Sequence, residues 1–137
     1  MDEVKVSVGN IDISGFSSIK KMITCGIYSG KEIIPGSAMA INSEKVVLAN
    51  QSREVMDVLN TASLRYPDGI GVSYVMGKKV GSYIARIPGC ELWLELMQYS
   101  VKYKTPVFLI GASEDVLNQT RELLSDLGVN VVGSQNG

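Results

Sequence analysis

The chain contains no histidine. That absence removes Ser-His-Asp triads, Cys-His dyads and His-ligated zinc together, leaving carboxylates, lysine and tyrosine as the acid/base groups. Cysteine is scarce: Cys25 and Cys90 are far apart and neither belongs to a Cys-x-x-Cys pair, so both read as buried thiols rather than a metal or redox site. A basic field is missing as well. Thirteen Lys and Arg against 14 Asp and Glu give a formal net charge of -1 and a pI near 5.4, without the electrostatic footprint that nucleic-acid binding needs. No window approaches the ~20 apolar residues of a membrane span, and Met1-Asp2-Glu3 places acid where a signal peptide carries base. A cytoplasmic protein is expected. No internal repeat or low-complexity linker divides the 137 residues, of which 45% are hydrophobic, so a single domain over 1–137 with one core is expected.

What is present alternates. Val4, Val6 and Val8 interleave with polar residues and are separated by Gly9-Asn10 from Ile11 and Ile13, the pattern of a small β-hairpin. Ser14 is placed to cap a helix whose apolar positions Phe16, Ile19, Ile23 and Ile27 run toward Gly30. After the turn at Pro35-Gly36, Ser37 to Ile41 reads as a short strand covered on both sides. Ser43 caps a helical piece from Glu44 to Leu48, which Asn50-Gln51-Ser52 interrupts before Val55, Val58, Leu59 and Ala62 resume it. Leu64-Arg65-Tyr66 is strand-like, and Ile70 to Met76 is a helical face closed by Gly77-Lys78-Lys79, with the two lysines as a solvated helix end. Cys90 to Lys102 is the clearest helix, with Leu92, Trp93, Leu96, Met97 and Val101 on its core side. Thr105 to Gly111 then reads as a buried strand. Ser113-Glu114-Asp115 opens a helix with Val116, Thr120, Leu123 and Leu127 inward, Gly128 follows its end, and 129–132 is a last strand. Strands alternating with helices after a hairpin predict an α/β layer structure with a mainly parallel sheet.

Three polar groups follow or adjoin successive strands. The first is Asp68, in Tyr66-Pro67-Asp68-Gly69-Ile70-Gly71. Pro67 fixes its own φ and pushes Tyr66 toward extended geometry, while Gly69 and Gly71 let a ligand approach the backbone. Pro-Asp-Gly is equally good turn chemistry with no ligand at all. Asn42 sits at the carboxyl end of a parallel strand, where open α/β sheets put ligand-binding groups, or serves only as a helix cap. Arg86 precedes a turn that opens a helix, which suits an anion as well as it suits a surface salt bridge. Gly111-Ala112-Ser113 is not the Gly-x-Gly-x-x-Gly fingerprint of dinucleotide folds, although a helix N-terminus there could hold a diphosphate.

Five blocks in order, Ala40-Ile41-Asn42-Ser43-Glu44-Lys45, Tyr66 to Gly71, Arg86-Ile87-Pro88-Gly89-Cys90-Glu91-Leu92-Trp93, Pro106 to Gly111 and Val132-Gly133-Ser134-Gln135-Asn136-Gly137, resemble the motif blocks of the WecG/TagA/CpsF glycosyltransferases, family 26. The branch most resembled is the enterobacterial transferase of N-acetylmannosaminuronic acid. The resemblance implies a Rossmann-like three-layer sandwich with a mainly parallel sheet and a small N-terminal β-hairpin. It also implies inverting transfer of N-acetylmannosamine or its uronic acid from a UDP donor to an undecaprenyl-diphosphate-linked GlcNAc acceptor, for teichoic acid, common antigen or exopolysaccharide. Carried over residue by residue, it makes Asp68 the general base and puts Asn42 and Arg86 in the active site, with Ala40, Gly69, Gly89, Gly111 and Ser113 binding substrate. A Thr frequent in relatives is Ala40 here, which removes a hydroxyl from the pocket, and Gly111-Ala112 replaces a common Gly-Gly. Relatives continue past the final block into more sheet, a Pro-x-Gln-Glu motif and a basic appendage that closes over the donor and touches the membrane. The chain is therefore expected to be the N-terminal part of such a fold, weakly active or inactive by itself, working at the inner face of the plasma membrane in the full-length family.

In that chemistry Asp68 takes the proton of the acceptor hydroxyl as it attacks the anomeric carbon, and burial would have to raise an ordinary carboxylate pKa for it to do so well. Arg86 balances charge on a diphosphate, and Asn42 orients a sugar or Asp68. No Asp-x-Asp is present to hold a divalent metal, so no metal or other cofactor is expected. Two other readings stay open: a UDP-sugar-binding module without catalysis, and a self-associating α/β domain that forms homo-oligomers through an exposed sheet edge and apolar face.

Overall fold

In the computed structural model, which describes residues 3–137, strands β1 (Val4–Val8) and β2 (Ile11–Gly15) pair antiparallel around Gly9 and Asn10. Those two residues have φ of 53° and 63°, the left-handed pair that a two-residue type I′ turn requires. Met1 and Asp2, whose acidity entered the sequence reading, lie outside the described residues. Ser14 is not the expected cap. It belongs to β2, where its hydroxyl donates to the Glu3 carboxylate at 2.7 Å. Ser18, in extended backbone, caps the helix instead by accepting from Lys21 N–H at 3.1 Å. That helix, α1 (Ile19–Met22), widens into a π-helical turn over Ile23–Ile27 and gives way to the short antiparallel strands β3 (Tyr28–Ser29) and β4 (Glu32–Ile33).

Strand β5 (Ala38–Ile41) leads into helices α2 (Ser43–Gln51) and α3 (Arg53–Asn60), and the chain returns in β6 (Leu64–Pro67), parallel to β5 with Ala38 opposite Leu64 and Ile41 opposite Pro67. Only Ile41 of β5 is fully covered and Ala38 is exposed, so the strand is not sheathed on both sides. The expected break between α2 and α3 is present at Ser52, which accepts from Val55 N–H at 3.3 Å. Helix α4 (Ile70–Val80) runs straight through Gly77-Lys78-Lys79, which were expected to close it, and stops at Gly81 in the left-handed conformation, φ 70°. The core of this part comprises Val6, Ile11, Ile13, Ile41, Ala49, Leu59, Val72, Met76 and Ile84.

Two cations fasten the hairpin to this core. Arg65 on β6 donates Nε–H to the Asp12 carbonyl at 2.7 Å and Nη1–H to the Leu59 and Ala62 carbonyls at 3.2 and 2.8 Å, so it also satisfies the open end of α3. Lys79 on α4 donates to the Ser7 carbonyl at 2.7 Å. The hairpin is thus held on both strands.

The chain divides into two compact units, Met1–Leu92 and Trp93–Gly137. Helix α5 (Gly89–Tyr103) begins in the first and supplies the opening element of the second. There, β7 (Val107–Ile110), α6 (Glu114–Asp126) and β8 (Val131–Gln135) form a parallel βαβ unit. Ser113 caps α6 by accepting from Val116 N–H at 3.4 Å, and Gly128 follows its end with φ 88°.

Burial in the second unit departs from the sequence reading. Leu109, Leu117, Leu124 and Val129 make its core, while the row Thr120, Leu123 and Leu127 faces a cavity of about 690 Å³ that Trp93, Leu94, Met97 and Val101 line from α5. Trp93, 38% exposed, and Leu123, 66% exposed, are therefore not core residues, and Val116 is exposed too. The apolar rows of the two helices border open space instead of closing on each other. Strand β7 is not buried either: α6 covers one face of its two-stranded sheet, leaving Phe108 exposed and Ile110 80% exposed on a strand that alternates sides. The thiols are not buried, since Cys25 is half-buried in the π-helical turn and Cys90 lies on the solvent side of the first turn of α5. The mixed α/β class holds, with parallel pairing twice over and, among the described residues, four sheets each two strands wide.

Candidate functional site

The end of the β5–β6 pair is where the shared direction of two parallel strands brings separate stretches of sequence together. Asn42 follows β5 and Asp68 follows β6. The Asp68 N–H bonds the Ile41 carbonyl at 3.0 Å, so the two residues leave the sheet side by side. Asn42, in extended backbone, caps α2 with its Oδ1, which accepts from Lys45 N–H at 2.9 Å. The cap is Asn42 rather than Ser43, which is the first residue of the helix. With Oδ1 committed to the helix, the Nδ2 group is the part of the amide free in direction to donate to a ligand. Lys45 Nζ turns back to the Ala40 carbonyl at 2.7 Å, placing Ala40 in the strand just before the site.

Glycines shape the space around Asp68. A Cβ on Gly69 would stand 3.6 Å from both Cα and Cβ of Asn42, and one on Gly71 only 3.0 Å from Ser43 Oγ. Gly69 precedes α4 without any side-chain cap, so the first amides of that helix are presented bare. A Cβ on Gly89 would lie 3.9 Å from Asp68 Oδ2 and 3.9 Å from the Tyr66 hydroxyl, so the opening of α5, the Asp68 carboxylate and the Tyr66 phenol meet at one place. Arg86 reaches the main chain of the same residue, its Nε–H donating to the Asp68 carbonyl at 3.2 Å while the side chain stays exposed. The return of the chain is fixed by Ile87 N–H on the Pro67 carbonyl at 2.8 Å.

Tyr66 is the residue the sequence reading passed over. It is buried, and its phenol is pushed above its ordinary pKa of 10.0 first by that burial and then by the negative charge of Asp68. It therefore stays protonated at neutral pH, an O–H donor beside a carboxylate. The signal was available: Leu64 and Tyr66 share one face of a strand, and a chain without histidine leaves tyrosine among its few proton-bearing groups.

The structure thus brings Asn42, Asp68, Gly69, Arg86 and Gly89 together, with Ala40 one step behind. Gly111 and Ser113 belong to the second unit, in the turn between β7 and α6. There Gly111 takes φ 109°, its N–H bonds the Gln135 carbonyl at 2.9 Å, and Gly137 N–H bonds the Ala112 carbonyl at 3.0 Å. Among the described residues no three His, Cys, Asp or Glu side chains gather as a metal site, and no helix is long and apolar enough to cross a membrane. A carboxylate beside a phenol, with an amide on the adjoining strand end and a guanidinium on its own main-chain carbonyl, next to glycines that admit a ligand, can take a proton from a hydroxyl while cationic and dipolar groups hold an anion. Against known families, the model of the glycosyl transferase WecG/TagA/CpsF family matches residues 6–137.

Proposed function

The chain belongs to the WecG/TagA/CpsF glycosyl transferase family, which serves cell-surface polysaccharide synthesis with nucleotide-sugar donors and lipid-linked acceptors, and we propose that Asp68 is the general base of that transfer. The acceptor hydroxyl gives its proton to the Asp68 carboxylate as its oxygen bonds to the anomeric carbon. The bond from that carbon to the nucleoside diphosphate breaks, the diphosphate leaves with the electron pair, and the configuration inverts. Asn42 Nδ2 and the Tyr66 hydroxyl donate to sugar oxygens, and Arg86 offsets the charge that grows on a diphosphate.

The observation that carries this reading is the assembly of Asn42, Asp68 and Arg86 at one strand end from stretches of sequence that lie far apart. The donor we propose is UDP-N-acetylmannosamine or its uronic acid, the acceptor undecaprenyl-diphosphate-linked GlcNAc, and the place the inner face of the plasma membrane. The match spans both compact units, which supports reading 1–137 as one transferase domain whose two parallel pairs are parts of a Rossmann-like three-layer fold.

The test compares wild type with Asp68→Asn, as the chain itself and joined to a relative's C-terminal portion, for UDP-sugar binding and for transfer to a short polyprenyl-diphosphate GlcNAc. Binding is expected to persist and transfer to fall by about 10²- to 10⁴-fold. Equal transfer by both proteins would reduce Asp68 to turn chemistry, and binding without transfer by either would favour a UDP-sugar-binding module.

A further inference from the structure

Helix α4, which follows Asp68 in the chain, ends in a reversal that builds a second feature. The Gly81 and Ser82 N–H groups both bond the Gly77 carbonyl, at 2.8 and 3.2 Å, and the chain then runs back against the helix it has left. The approach is so close that a Cβ on Gly77 would stand 2.9 Å from the Ser82 carbonyl oxygen. The Ala85 N–H on the Phe16 carbonyl, at 2.9 Å, and the buried Ile84 hold the returning segment in place. Between helix and segment lies a groove of about 480 Å³ lined by Ile70, Tyr74, Gly77, Lys78, Tyr83 and Ile84.

Its exposed residues are of a particular kind. Tyr74 is 63% and Tyr83 76% exposed, and Lys78 Nζ lies 5.5 Å from the centroid of the Tyr74 ring. Ile70, Tyr74 and Lys78 form a row at four-residue spacing along α4, and the row starts two residues beyond Asp68. At 1.5 Å per residue it extends about 12 Å, comparable with one pyranose ring followed by a diphosphate. Counting away from the base in sequence, the row passes an aliphatic side chain, an aromatic surface and a cation. Phenol rings present an apolar body to the C–H face of a sugar and a hydroxyl to its polar edge, and an ammonium is a point charge for phosphate oxygens.

Resting on Asp68 as the general base, we propose that this groove binds the sugar and diphosphate of the lipid-linked acceptor, the sugar against Tyr74 and Tyr83 and the diphosphate at Lys78. The nucleotide-sugar donor contains the same glycosyl diphosphate chemistry, but inversion sets its leaving diphosphate on the far side of the anomeric carbon from the attacking oxygen and its base. A diphosphate on the base's own side, one ring away, is the acceptor's.

Two probes separate the sources: GlcNAc diphosphate carrying a three-isoprene tail, and a UDP-sugar. Each is titrated calorimetrically into wild type, Tyr74→Ala, Lys78→Gln, Tyr83→Ala and Asp68→Asn, with melting curves to establish that the exposed substitutions leave the fold intact. Each groove variant is expected to weaken the acceptor probe about tenfold, equivalent to about 1.4 kcal/mol, and to leave the UDP-sugar within about twofold. Acceptor binding by wild type that the groove variants do not change would overturn the groove and leave the Asp68 reading standing. Loss of the UDP-sugar instead would assign the groove to the donor and overturn the proposal. A wild type that binds UDP-sugar but no acceptor probe would overturn it as well, and failure to bind either probe would take the transferase reading with it.

Discussion

The two units use the same strand-turn-helix grammar and differ in what they enclose. In Met1–Leu92 the hairpin, the β5–β6 pair and α4 close over a continuous apolar core, and the polar turns at the strand ends converge on Asp68. In Trp93–Gly137 a four-residue core supports one βαβ unit, and the larger apolar side chains of α5 and α6 border a cavity or face water. A turn with good helix-capping residues is thus not sufficient to make a site. Asp68 is joined by the Arg86 side chain and stands beside Asn42 through a main-chain bond to Ile41, whereas the turn at Gly111–Ser113 is tied by main-chain bonds alone to β8 and the residues after it.

Substitutions test this contrast at decreasing scale. Ile41→Ala, which empties a fully buried position under the site, is expected to lower unfolding free energy by about 2–5 kcal/mol in urea titrations. A change below 1 kcal/mol there would mean that the first unit is not the packed one. Asn42→Ala removes the α2 cap and is expected to cost about 1 kcal/mol, together with weaker binding of a UDP-sugar if the amide also faces ligand. For Tyr66 the sign follows from its raised pKa: above pH 10.0 the unfolded state loses the phenolic proton first, so the folded state binds more protons and stability falls as pH rises. A pH series of unfolding curves should therefore show a smaller decline for Tyr66→Phe than for wild type. Smallest is Leu123→Ala, expected to change stability by no more than about 0.5 kcal/mol because the side chain borders open space. A loss as large as that of Ile41→Ala would erase the difference between the units.

Much of the first unit was legible because its signals are local. Gly9-Asn10 between two alternating runs leaves few choices besides a type I′ hairpin, and Ser52 between two helical patterns accounts for the break between α2 and α3. The turn at Asp68 was legible for the same reason. Cap assignment was split where two candidates were adjacent: Asn42 and Ser43 both read as caps, and the structure gives the role to Asn42, in extended backbone at the end of β5; it failed at Ser14, which β2 absorbs. Burial in the second unit was not legible, because the rows at 116, 120, 123, 127 and at 117, 124 both have helical spacing, and only the position of β7 and β8 selects between them. The groove along α4 was hidden by Gly77, which reads as a helix terminator and is instead the place where a returning chain needs room.

The clamps on the hairpin have a consequence in salt. Arg65 and Lys79 fasten β2 and β1 through carbonyl oxygens, neutral acceptors rather than opposite charges. The exposed Arg53–Asp57 pair, at 4.0 Å, is by contrast screened by salt. The fastenings of the hairpin depend on no carboxylate, so the scaffold behind Asp68 is held by bonds whose acceptors carry no charge for salt to screen.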